Sequence, residues 1–141
     1  MWCATARRQH RLPTSGPTEG SLTVTPSSSV RGLGVYIDCD LSMRSHVRRT
    51  VSCCFAVLCQ LRSIRRQIRT TVCQSVTVAL VLSRLDYCNS VLIGLPACYI
   101  KCLQSVQNAA ARLVFRIMTY ALIGLHWLRV PERISYTSLP S

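Results

Sequence analysis

Carboxylates are scarce in this 141-residue chain: five Asp and Glu stand against seventeen Lys and Arg, a formal charge of +12. The five (Glu19, Asp38, Asp40, Asp86 and Glu132) are spread over the whole length. Polymerases and nucleases cluster acids around metal ions, and glycosidases place a pair across the scissile bond. That scatter argues against a self-contained catalyst, so no catalytic residue and no cofactor are expected. Lysine is nearly absent too, with Lys101 alone among sixteen arginines. The planar guanidinium grips phosphate through two parallel hydrogen bonds, which makes an anionic polymer the natural partner class. Nucleotide-composition bias in a weakly constrained reading frame also raises Arg and Cys together, and composition alone leaves both readings open.

Other absences narrow the class further. Arg7, Arg8, His10 and Arg11 interrupt the start of the chain, so no apolar core of a signal peptide is present there. An intracellular, non-secreted chain with reduced thiols is the expectation, nucleus and cytoplasm being equally open. The most apolar stretch, residues 72–95, contains Gln74, Arg84, Asp86 and Asn89. Its longest unbroken apolar run, Val78 to Leu82, falls far short of the roughly 20 residues that a bilayer requires. No partner membrane is expected. No Gly-rich phosphate loop or nucleophile elbow occurs. The nine cysteines contain no C-x-x-C: Cys53 and Cys54 are adjacent, and Cys98 and Cys102 have no second pair or nearby His. Zinc spacing is missing, so the thiols read as small buried hydrophobes and no metal ligand is assigned.

At 49% hydrophobic residues the chain can build a core. The pattern predicts a mainly α fold: one short N-terminal strand, then a three-helix bundle, with irregular N- and C-terminal segments. Residues 1–31 form the irregular N-terminal part, of which 13–31 read as a Pro-, Gly- and Ser/Thr-rich linker. Residues 32–117 hold the strand and three helices, and 118–141 are irregular. Leu33, Val35 and Ile37 alternate with Gly34, Tyr36 and Asp38, which suits a strand over 32–38. Ser42 is placed to cap a first helix over 43–66, whose Val47, Val51, Cys54, Leu58 and Leu61 recur at helical steps. A second helix runs from Thr70 or Thr71 to about Leu92. It is apolar almost all round, the mark of a helix packed in the middle. Leu95-Pro96 ends that stretch. A third, over 99–117, puts Tyr99, Leu103, Val106, Ala110, Leu113 and Ile117 on one side and Lys101, Asn108, Arg112 and Arg116 on the other.

At 100° per residue Arg44, Arg48, Arg62 and Arg66 fall within about 40° of one another, beside the apolar stripe of the first helix. Such a row can lie along a phosphate backbone or be a solvated face. Asp38 and Asp40 lack a third acid and read as capping and turn residues. Asp86-Tyr87 reads as a structural polar pair with Asn89 at a helix end. His46 and His126 have no nucleophile or acid placed with them and read as packing or surface residues. Trp127 reads as an anchor in the final loop.

Several stretches resemble the non-LTR (LINE-type) retrotransposon reverse transcriptases. They are Trp2 to His10 (WCATARRQH), Leu33 to Asp38 (LGVYID) with Asp40 to Met43 (DLSM), and Ser83 to Ser90 (SRLDYCNS) with Gly94-Leu95-Pro96 after it. Leu103 to Val114 (LQSVQNAAARLV) and His126 to Ile134 (HWLRVPERI) complete the series, which covers nearly the whole chain in order. Met118-Thr119-Tyr120 departs from the family pattern, where a basic segment is expected, and the family's continuation beyond Tyr136 is absent. The resemblance implies the region from the end of the palm through the thumb, a C-terminal fragment. The metal-binding acids of such a polymerase lie N-terminal to this region. The implied function is that of a truncated remnant of an RNA-directed DNA polymerase, inactive alone. At most it would bind RNA or an RNA/DNA duplex without sequence preference. Arg44, Arg48, Arg62, Arg66, Lys101, Arg112 and Arg116 would contact phosphate. The alternatives are a small helical protein-interaction module exapted from such an element, its partner unknown, and a frame with no selected function.

Overall fold

A computed structural model of the chain describes residues 3–13, 15–16, 18–87, 92–115 and 128–137. The chain divides into two compact units, Met1–His46 and Val47–Ser141. The expected mainly helical character holds: short antiparallel strands come first and helices follow.

In the first unit a 3-10 helix, Ala6–Arg11, precedes two small hairpins. β1 (Thr18–Glu19) pairs with β2 (Leu22–Thr23), and β3 (Ser29–Gly32) pairs with β4 (Val35–Asp38) in the register Val30 to Ile37. The expected single strand over 32–38 is therefore half of a hairpin. Leu33 and Gly34 form its turn with φ of 48° and 82°, as a two-residue type I′ connection requires. The segment read as a linker supplies the partner strand β3 and the small hairpin β1–β2. Its Ser and Gly content hid strands two to four residues long.

The Asp38 carboxylate sits at the end of β4, buried, and accepts the backbone N–H of Ser45 at 2.9 Å. Ser45 is the second residue of α1 (Arg44–Ile64). The cap is thus Asp38 rather than Ser42, and a carboxylate there also favours the positive end of the helix dipole. Met43 has φ of 56° and lies outside the helix. Ser42 instead donates its N–H to Asp40 Oδ1 at 3.0 Å, closing a local turn. The Ser42 hydrogen bonds hold the Asp40 carboxyl below the usual carboxylate range.

His46 is buried, and its Nδ1 accepts the Tyr36 N–H at 3.5 Å. Burial pushes its pKa below the ordinary 6.5. The unfolded chain therefore binds a proton at His46 before the folded one does. Stability from this group is complete above pH ~6.5 and declines as pH falls toward the depressed value. Urea midpoints measured at pH 7.5 and 5.5 should separate for the native chain and draw together in His46→Gln. An unchanged separation would locate the acid sensitivity elsewhere.

In the second unit α1 continues, followed by α2 (Thr70–Thr77), a π-helical turn (Val78–Leu82), α3 (Ser83–Asp86), α4 (Ala97–Phe115) and α5 (Val130–Thr137). The core gathers Val47, Cys54 and Leu58 of α1 with Val81, Leu82, Leu85 and Leu92, then Leu103, Val106 and Ala110 of α4. Val130 and Ile134 of α5 close it. Residues 118–141 are thus not wholly irregular. Pro131 is tolerated because it lies in the first turn of α5, where its missing N–H costs nothing. Glu132 accepts the Arg129 N–H at 2.9 Å, the reach-back bond from the third helical position to the N-cap.

The second helix is not packed in the middle. Cys73, Thr77, Val81, Leu82 and Leu85 are buried, but Val72, Val78 and Leu80 are 40–47% exposed. Within the π turn the neighbouring Val81 and Leu82 are both buried. The thiols also depart from expectation. Cys54 and Cys73 are buried, whereas Cys3, Cys53, Cys59, Cys98 and Cys102 are exposed. No helix among the described residues is long and apolar enough to cross a membrane.

Candidate nucleic-acid interface

Helical geometry places the basic residues in two rows. On α1, Arg48 and Arg62 are fourteen residues apart and share a face, roughly 21 Å along the axis. Arg44 stands at the first position of the same helix, one turn before Arg48. α1 ends at Ile64, so Arg66 lies in the turn beyond it and leaves the predicted row. On α4, Lys101 and Arg112 are eleven residues apart and fall within about 20° of each other. All six side chains are exposed, while Arg116 lies outside the described residues.

Arg65 lies between Arg62 and Arg66 in sequence and does something different. Its Nε donates to the Leu113 carbonyl and one terminal nitrogen to the Val114 carbonyl, both at 3.1 Å. The same guanidinium reaches Thr70 Oγ1 at 3.1 Å and the Ile68 carbonyl at 3.5 Å. It therefore holds the last turn of α4 against the α1–α2 connection. Arg49, Arg69 and Arg84 are also exposed.

The two carboxylates of the second unit are engaged elsewhere, whereas Asp40 of the first interacts with Arg44. Val47–Ser141 contains twelve Lys and Arg and two acids, Asp86 and Glu132. Asp86 forms an ion pair with Arg133 at 2.7 Å, and Glu132 caps α5. Asp86 was expected to pair with Asn89, which lies outside the described residues; its partner is on α5. The bridge is partly exposed and contributes on the order of 1 kcal/mol or less. In the first unit Asp38 and Asp40 serve a cap and a turn.

Three amides complete the attachment of the C-terminal segment. Gln107, wholly buried, donates from Nε2 to the Leu128 carbonyl at 2.6 Å. Gln104 Oε1 accepts the Val130 N–H at 2.9 Å, and its Nε2 donates to Gln107 Oε1 and Asn108 Oδ1, each at 3.0 Å. Gln104, held in place by its neighbours, satisfies the free N–H at the start of α5. His126, Trp127 and residues 118–120 lie outside the described residues.

No three His, Cys, Asp or Glu side chains converge among the described residues. A comparison with protein-family models, curated proteins and solved structures finds no match to this chain.

Proposed function

We propose that this chain is the thumb-like, duplex-holding part of a LINE-type reverse transcriptase. Its remaining activity is sequence-independent binding to the phosphate backbone of RNA or an RNA/DNA hybrid, without polymerisation of its own. The observation that carries this reading is the imbalance of Val47–Ser141: exposed cations on α1 and α4, with both acids of the unit committed to α5. A surface with a large excess of exposed cations over acids attracts a polyanion at any sequence. In the fold, Asp86 of the Ser83–Ser90 segment pairs with Arg133 of the last segment, and Gln107 and Gln104 of the Leu103–Val114 segment separately bond Leu128 and Val130 of that last segment.

Net charge alone makes a chain bind nucleic acid, so the test compares positions at constant charge. Each phosphate contact on duplex contributes about 0.9 to the slope of log K against log salt. Arg44→Gln with Arg48→Gln and Arg62→Gln should flatten that slope by about 2–3. The equally neutralised Arg7→Gln, Arg8→Gln, Arg11→Gln chain should lose less than about one. Equal flattening in both reduces the effect to bulk charge; no flattening in either makes the α1 row a solvated face.

A second reading, a helical module that binds a protein, is favoured by the exposure of Val72, Val78 and Leu80 on one helix. Binding through that surface would persist at high salt, where the phosphate-binding surface releases its partner.

A further inference from the structure

Cys98 and Cys102 are both exposed and lie one turn apart on α4. Side chains four residues apart stand on the same helical face, with Cβ atoms about 6 Å from each other. A disulfide needs a Cβ separation of roughly 3.5–4.5 Å, so the intact helix keeps the two thiols from joining. An ion between them is a different matter. Metal–sulfur bonds of roughly 2.3 Å bring the two sulfurs within about 4.6 Å of each other, a span that two Cβ–Sγ arms reach by rotating inward.

We propose that Cys98 and Cys102 form a two-thiolate site for a soft monovalent cation, Cu(I). Ligand number decides the metal. No third His, Cys, Asp or Glu converges with the pair among the described residues. Zinc completes a tetrahedron of four ligands and is poorly served by two. Calcium and magnesium take oxygen ligands. Cu(I) prefers thiolate and is satisfied by two sulfurs on opposite sides. The charge also fits: two thiolates around one monovalent cation carry a net −1. Lys101, exposed and three residues from Cys98, supplies a nearby positive charge.

Binding breaks two S–H bonds and forms two S–Cu bonds. Two protons leave to solvent, and copper remains Cu(I) with no electron transferred. The cysteines of α1 do not reproduce this arrangement. Cys53 and Cys54 are adjacent and project about 100° apart around the helix. Cys54 is buried, and burial pushes its thiol up to about 11. Cys53 contacts the Arg84 guanidinium. Cys59 has no cysteine three or four positions away on α1.

The test uses the full chain, reduced and kept free of oxygen, with Cu(I) delivered in competition with a chromophoric Cu(I) chelator. One tight equivalent is expected, with release of two protons. Cys98→Ser and Cys102→Ser should each weaken it by about 100-fold, while Cys53→Ser and Cys59→Ser leave it within threefold. Far-UV circular dichroism should show the same helix content in all four variants with and without the ion. Equal losses from Cys59→Ser, or little loss from either serine change on α4, would overturn the site. So would loss of helix on loading, since the geometry rests on an intact α4.

Discussion

Replacing Arg65 with alanine should cost the second unit about 3 kcal/mol, more than any other single arginine in the chain. The magnitude follows from what the guanidinium holds. Two of its bonds go to carbonyls in the last turn of α4, and two more tie down Ile68 and Thr70. Hydrogen bonds involving a charged group contribute about 1.5–3 kcal/mol each, and bonds from one side chain do not add independently. A positive charge at the negative end of α4 adds a few tenths to one kcal/mol. Thermal unfolding should reveal a lower midpoint, by on the order of 10 °C for a chain of this size. Arg62→Ala and Arg66→Ala, whose side chains are exposed, should stay within about 0.5 kcal/mol. Arg65→Lys should recover less than half of the loss, because a single ammonium cannot reproduce the planar fork. An Arg65→Ala chain as stable as Arg62→Ala would show that the carbonyls of α4 find other partners at no cost.

Gln107→Leu should destabilise by about 2–3 kcal/mol, and the loss should be felt first at α5. Leucine fills similar volume but offers no donor to the Leu128 carbonyl and no acceptor to Gln104. Gln107 is wholly buried while Leu128 is half exposed, and losing both hydrogen bonds of this amide costs about 1–3 kcal/mol. Gln104, no longer oriented by its neighbour, then holds the Val130 N–H less firmly. Hydrogen exchange at the Val130 amide should accelerate before the amides of Leu103 and Val106 respond, because α5 opens as a smaller cooperative piece. Uniform acceleration through α4 and α5 would mean that the amide supports the whole unit rather than this attachment. Denaturant titration would then show one transition shifted by the same amount.

The stripes of α1 and α4 were legible because apolar residues at helical spacing have one physical use in a chain of this composition. Val47, Cys54, Leu58 and Leu61 are buried as the period requires, and so are Leu103, Val106 and Ala110. The capping and turn roles of Asp38 and Asp40 were legible for a similar reason: two isolated acids have no chemistry beyond local backbone bonds. The short hairpin and α5 were not. β3 has no alternation long enough to detect, and Pro131 conceals a helix start that Glu132, at the third helical position, announces. The candidate site was legible as charge and only partly as geometry. Nothing in the run Arg62 to Arg66 distinguishes the arginine that locks α4 from those that face solvent. Nor could an all-round apolar pattern on the second helix say which side the rest of the chain leaves open.

The amide network also sets an order of events during synthesis. Gln107 leaves the ribosome 21 residues before Leu128, the residue whose carbonyl it needs. At roughly 5–20 residues per second, a nascent chain carries this unfinished site for about one to four seconds. Through that interval α4 presents an amide and the apolar surface that Val130 and Ile134 later cover. A holdase that recognises half-built helical surfaces has its window there, and it closes when α5 arrives.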